Sequence, residues 1–318
     1  MFPPLAVIDI GSNSARVVIY QQNTSHSFQI LYEEKSKVRI GEGAYLKKGY
    51  LQDTPIQRAY QALQSFKSTI VKFPNISKTV CVATSALRDA PNGQEFVNYI
   101  KEKLDIDIKI IDGKQEAYYG ALSALHLLSI DNGITIDIGG GSTDIGLIEN
   151  SKIVDNYSLN IGTVRLKELF SDKMVSPEIV DEYIDKALKT LPKHFTSTNA
   201  IGIGGTARTL SKVIMKSKGE KNQNIHNFNY NYELYKDFFS KIILSNNKLL
   251  KEFGVSNSRV DTIREGTLIW KKVVEKIQAK KIISSAVGVR EGIFLESSNI
   301  IKSNPSSLTL NFRTFDPL

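Results

Sequence analysis

At 318 residues the chain is too long for one comfortable core and long enough for two domains. With 41% hydrophobic and 23% charged residues it has the composition of an ordinary globular protein. Its formal charge of +8 suits an anionic partner. The Lys-rich stretches, residues 212–221 and 271–281, are each more simply solvated helix faces or loops, so no nucleic-acid partner is expected.

The start, Met1-Phe2-Pro3-Pro4-Leu5-Ala6-Val7-Ile8-Asp9, lacks the basic n-region and long apolar run of a signal peptide. No segment approaches the ~18 uninterrupted apolar residues of a membrane span, so the expected compartment is the cytoplasm. Val7-Ile8-Asp9-Ile10-Gly11-Ser12-Asn13-Ser14, followed by Val17-Val18-Ile19-Tyr20, reads as a β-hairpin with a polar loop. A helix is expected from Thr54 as N-cap, with Pro55 first and Gln57 closing a capping box, to about Lys72. Strands follow at residues 79–83 and about 109–111. Cys81 lies in the first of these and is the sole cysteine, which excludes a disulfide framework or thiolate metal site. A helix over about residues 116–128 ends at the turn Ser129-Ile130-Asp131-Asn132-Gly133.

There the hairpin repeats. Ile134-Thr135-Ile136-Asp137-Ile138-Gly139-Gly140-Gly141-Ser142 precedes Ile145-Gly146-Leu147-Ile148, and Asp9 and Asp137 are 128 positions apart, as are Ser14 and Ser142. Two halves opening on the same hairpin imply a duplicated architecture, with domains at residues 1–130 and 131–318. In the second half a helix starts at Ser176-Pro177-Glu178 and runs to about Phe195. A strand over residues 200–203 enters the turn Gly204-Gly205-Thr206, with a helix beyond. Residues 216–231 read as a long surface loop, residues 259–280 as largely helical, and residues 282–286 as a strand. The tail after Ser303, with Pro305 and Pro317, shows no periodicity, and whether the C-terminal segment returns to the first domain stays open.

The loops are chemically suggestive. Phosphate oxygens need convergent donors, and glycine lets backbone N–H groups approach closely. Gly11, Ser12, Asn13 and Ser14 form one candidate phosphate loop, and Gly139, Gly140, Gly141, Ser142 and Thr143 the other. A single Gly-Ser turn is as often a plain connector; two copies favour a clamp on one phosphate-bearing chain. Asp9 and Asp137, set between apolar neighbours, either cap their turns or hold a hard cation near the phosphates. Asp144 is a third candidate, and the metal role is favoured for Asp137 over Asp9. Gly204, Gly205 and Thr206, between strand and helix, form a third candidate anion site or an ordinary turn.

The three loops, in this order, resemble the actin-like ATPase superfamily. The stretches Asp9-Ile10-Gly11-Ser12-Asn13-Ser14, Ala83-Thr84-Ser85-Ala86-Leu87-Arg88-Asp89-Ala90, Gly113-Lys114-Gln115-Glu116-Ala117, Asp137-Ile138-Gly139-Gly140-Gly141-Ser142-Thr143 and Gly288-Val289-Arg290-Glu291-Gly292 narrow the match. They resemble the exopolyphosphatase/guanosine pentaphosphate phosphohydrolase family in its short, two-domain form. The resemblance implies an α/β protein of two actin-like, ribonuclease H-like domains with an interdomain active-site cleft. It implies Glu116 as the base that activates a water in line with the terminal phosphoryl group, Mg²⁺ as the cofactor, and polyphosphate or pppGpp as substrate. Alone, Glu116 also suits the first turn of a helix. Arg88 falls on the family's arginine, a bidentate phosphate clamp, and Arg290-Glu291-Gly292 reads as mainly structural. Departures are Gln115 for an acid, Asp112 for Ser and Asp144 for Glu, the last one methylene shorter and a concern for the metal shell. A kinase or ATPase of the same superfamily, and a phosphate or nucleotide sensor without turnover, are the alternatives. A homodimer is compatible with the sequence, which does not fix the assembly.

Overall fold

The computed structural model describes residues 2–46, 48–170, 177–220, 224–298, 300–303 and 308–311. The chain divides into two compact units, Met1–Asp112 with Val289–Leu318, and Gly113–Gly288.

The first unit opens with β1 (Leu5–Ile10), β2 (Ala15–Thr24) and β3 (Ser27–Ser36). Then come α1 (Asp53–Ile70), β4 (Lys78–Ala83), α2 (Ser85–Asp89), α3 (Gly93–Leu104) and β5 (Ile108–Ile110). The second runs α4 (Gly113–Leu127), β6 (Gly133–Ile138), β7 (Thr143–Glu149), β8 (Lys152–Leu159), α5 (Thr163–Leu169), α6 (Pro177–Lys189), β9 (Asn199–Ile203) and α7 (Gly204–Ser217). It closes with β10 (Asn229–Asn231), α8 (Lys236–Leu244), α9 (Asn247–Phe253), α10 (Ile263–Lys276) and β11 (Lys281–Ser284). The chain then returns to the first unit as α11 (Val289–Ser298), α12 (Ile300–Ser303) and β12 (Thr309–Asn311).

Each unit has its own sheet, and the two share one plan. In the first the order is β12-β3-β2-β1-β4-β5; in the second, read from the other edge, it is β8-β7-β6-β9-β11-β10. The first three strands of each repeat pair antiparallel, and the next two add parallel to the opening strand. Both units are thus ribonuclease H-like, and the chain has the two-domain actin-like architecture. Parallel pairing explains why β1 and β6 are apolar almost throughout: each is flanked on both edges and covered by helices.

Helix α1 buries Pro55, Ala59, Ala62, Leu63 and Phe66 along one stripe. It starts one residue before the expected Thr54 cap. Gln52 holds the capping position, and its carbonyl accepts from Ile56 N at 3.0 Å, so Pro55, which has no N–H to offer, falls inside the first turn.

The domain boundary is displaced from the expected Asp131 to Asp112/Gly113. The reason is α4, whose Ala117, Tyr119, Gly120, Ala121, Leu122, Ser123 and Ala124 are all buried and which packs on β6, β7 and β8. The C-terminal segment does return to the first unit: α11 lies on β1, and β12 pairs parallel with β3, Leu310 opposite Phe28. That strand lies in the tail where no periodicity was seen; Pro305 and Pro317 fall outside the described residues, as do Ser176 and residues 221–223. Helix α6 stops at Lys189, short of the expected Phe195, ahead of Pro192. The expected surface loop at residues 216–231 contains the end of α7 and all of β10. The expected helix at residues 259–280 is α10, which occupies only its middle.

Candidate functional site

In the first unit the β1–β2 hairpin is closed by Gly11 N to Ser14 O at 3.1 Å. The carbonyls of Ser12 and Asn13 accept from Gly41 N and Arg39 N, at 3.1 and 3.0 Å. A trans peptide points its C=O and N–H in opposite directions, so these bonds turn the amides of Asn13 and Ser14 away from the 39–41 segment. Ser12 is 2% exposed, and its Oγ lies 3.0 Å from Ser85 Oγ, which ties the loop to the start of α2. Arg88, at the end of α2, donates Nη1 to the Ile111 carbonyl at 3.1 Å and pairs with Asp89 at 3.6 Å. These contacts tether its side chain.

Asp9 accepts from Arg290 Nη1 at 3.1 Å, and the neighbouring Glu291 accepts from Tyr20 at 2.6 Å. Burial works against the Arg290 charge, but Glu291 and Asp9 more than offset it and hold the guanidinium firmly protonated. Burial and Glu291 push the Tyr20 phenol well above its ordinary value. The expected structural reading of Arg290 and Glu291 therefore acquires a geometry, two adjacent residues of α11 fastened to β1 and β2. It also means that Asp9 already has its charge balanced.

The second unit shows the more developed arrangement. Gly139 N closes the hairpin to Ser142 O at 2.9 Å. The Gly139 carbonyl accepts from Thr163 N, the Gly140 carbonyl from Val164 N and Arg165 N, and the Gly141 carbonyl from Arg165 Nε at 2.8 Å. By the same peptide geometry the amides of Gly140, Gly141 and Ser142 turn away from the groups that bind these carbonyls, three consecutive donors of the kind that bind anions, although Ser142 is itself buried. Thr143 does not join this set: its hydroxyl donates inward to the Ile161 carbonyl at 2.7 Å, and its backbone pairs with Leu159 in the sheet.

Three side chains form a row across this sheet. Asp137 pairs with Asp144 between β6 and β7, and Asp144 with Ser158 between β7 and β8, so all three share one face. The first residue of α4 sits over that face: a Cβ on Gly113 would overlap Ser158 and lie 3.7 Å from Asp144 Oδ1. Glu116 is in the first turn of the same helix. Asp144 is 3% exposed and accepts from Ser142 Oγ at 3.1 Å and Ser158 Oγ at 2.5 Å.

The third loop lies where β9 meets α7, between strand and helix as expected. Gly204, Gly205 and Thr206 are the first turn of α7, and the group meeting Gly204 is the Asp137 carboxylate. A negative charge is favoured there by the helix dipole. Gly204 has φ of 74°, and a Cβ on it would overlap Asp137. Thr206 is 2% exposed and turns toward Gly266. The guanidinium of Arg259 lies against Gly205.

A hard cation suits the Asp137–Asp144 pair by donor chemistry. Among the described residues no three His, Cys, Asp or Glu side chains are gathered for direct coordination. Water and phosphate oxygens would complete such a shell, as is usual for Mg²⁺.

The sequence of residues 18–299 matches the Ppx/GppA phosphatase family. The chain belongs to this family. Over 308 residues, 92% of its length, it is 31% identical to a bifunctional 3-dehydroquinate synthase/phosphatase of Fusobacterium nucleatum. It is 28% identical over 221 residues, 67% of its length, to a guanosine-5'-triphosphate,3'-diphosphate pyrophosphatase of Photobacterium profundum. The chain spans 46% and 44% of those two relatives. The crystal structure of the Aquifex aeolicus Ppx/GppA family member superposes with a TM-score of 0.77 at 28% identity, covering 95% of this chain and 99% of that one. No helix among the described residues is long and apolar enough to cross a membrane.

Sequence reasoning missed Arg165, Arg259 and Ser158. None sits in a glycine-rich motif; each reaches its loop or carboxylate from an element that only the fold brings near.

Proposed function

We propose that the protein hydrolyses a terminal phosphoanhydride, releasing phosphate from pppGpp or inorganic polyphosphate. The observation that carries this is the set of three consecutive amides at Gly140, Gly141 and Ser142, turned away from the bonds their loop makes to the start of α5, in the unit that also holds Asp137, Asp144 and Glu116. Phosphoryl transfer requires positioning and charge neutralisation more than covalent help from the protein. The loop amides bind the phosphoryl oxygens; Gly11, Ser12, Asn13 and Ser14, with Arg88, are the candidate phosphate-binding residues of the first unit. Glu116 accepts a proton from the attacking water as its oxygen bonds to the terminal phosphorus. The bond to the bridging oxygen breaks, and that oxygen leaves on the shortened chain. Bound Mg²⁺, held by Asp137 with Asp144, would neutralise charge on the phosphoryl oxygens. The family match and the Photobacterium relative support both the reaction and the nucleotide substrate.

The test is phosphate release with Mg²⁺ from pppGpp, short polyphosphate and long polyphosphate, beside ATP with candidate acceptors. Release from pppGpp or polyphosphate without an acceptor is expected. Acceptor-dependent ATP consumption alone would establish a kinase instead.

A further inference from the structure

We propose that Ser158 is a positioning residue that places Asp144 and the Glu116-bearing helix together. The inference rests on the reading of Glu116 as the base. Ser158 stands on β8, the edge strand of its sheet, directly opposite Asp144. Its hydroxyl donates to Asp144 Oδ1 at 2.5 Å, while Ser142 Oγ, at the end of the phosphate loop, donates to the other oxygen at 3.1 Å. The two bonds fix both carboxylate oxygens of a side chain that is 3% exposed, so Asp144 has one orientation available.

The same serine also touches the helix. Gly113, the first residue of α4, approaches Ser158 so closely that any Cβ would overlap both Cβ and Oγ. The contact therefore sets how near the helix start comes to the sheet, and Glu116 follows in that first turn. One small side chain thus fixes two distances: from the loop to Asp144, and from Asp144 to the helix carrying the base. A larger residue at 158 would lift the helix. Alanine would keep the spacing but remove the hydroxyl donor that Ser158 supplies to a buried carboxylate oxygen. Glycine at 113 and serine at 158 are a matched pair.

Displacement of a catalytic group by about 1 Å can cost ~10²-fold in rate. For Ser158→Ala we expect kcat to fall roughly 10- to 100-fold, with KM little changed. Gly113→Ala should lower kcat similarly and speed amide hydrogen exchange across residues 113–119 of the substrate-free protein. In Gly113→Ala/Ser158→Gly the Cβ moves from one side of the contact to the other. Exchange protection should return in that protein, with only part of the rate, because the Asp144 bond is still missing. A Ser158→Ala protein with wild-type kcat would overturn the proposal. So would a swap protein whose helix exchanges as fast as in Gly113→Ala, or a lowered melting temperature with kcat per folded molecule unchanged. A parallel Glu116→Gln measurement separates the two claims: undiminished release there sinks the base assignment and the kinetic half of this proposal, whereas the exchange data judge the contact alone.

Discussion

Arg290 and Asp9 form an ion pair at 3.1 Å that fastens α11 to the end of β1, two residues before the first glycine loop. Both side chains are largely buried, at 14% and 18% exposure. Deleting one member of a buried pair leaves the other charge uncompensated, at a cost of about 3–5 kcal/mol. Here Glu291 would lose its neighbouring cation as well. Arg290→Met should therefore destabilise the protein by about 3 kcal/mol, and Asp9→Asn by less. Urea unfolding of the three proteins measures this; unchanged midpoints would show that the pair contributes no stability.

Gly204 marks a second constraint. Its φ of 74° would strain any L-residue, by roughly 1–2 kcal/mol, and a Cβ there would displace the Asp137 carboxylate. Gly204→Ala should lower both stability and turnover, the latter by about 100-fold if the carboxylate moves by 1 Å. Thermal unfolding and steady-state phosphate release on the same sample check it. A variant with wild-type rate would remove Asp137 from the chemistry.

Glu265 predicts a pH dependence. Its Oε2 is buried without a hydrogen-bond partner among the described residues. Burial raises its carboxyl above the ordinary 4.5, against a backbone hydrogen bond, Lys167 and Arg264. The folded protein then holds this proton more tightly than the unfolded chain does. The associated stability is present below pH 4.5 and is lost as pH rises through the higher folded value. Glu265→Gln, permanently neutral, should be more stable than wild type at neutral pH, with the gain vanishing below pH 4.5. Unfolding midpoints measured from pH 4 to 8 give the comparison; a gain independent of pH would contradict the assignment.

The hairpins were legible because each is a local pattern: an apolar strand, Asp, a Gly/Ser turn, and a second apolar strand paired in register. The domain boundary was not. The sequence of α4 shows its apolar faces but not which sheet they cover, and it covers β6 to β8. The turn at Gly204-Gly205 between strand and helix was legible, but not why both positions are glycine: Asp137 and Arg259 occupy the space their side chains would need. Strand β12 is three residues long, and only its parallel pairing with β3 makes it a strand. The metal candidates separated for the same reason. Asp137 and Asp144 are cross-strand neighbours, while Asp9 is held by a residue 281 positions away.

The central claim is that Glu116 activates the water. Single-turnover phosphate release from pppGpp and short polyphosphate, with substrate affinity measured independently, compares wild type with Glu116→Gln most directly. The account predicts near-normal binding by the variant and a rate lower by about 10²- to 10⁴-fold, the usual worth of a positioned general base. Phosphate release by Glu116→Gln at the wild-type rate would contradict it.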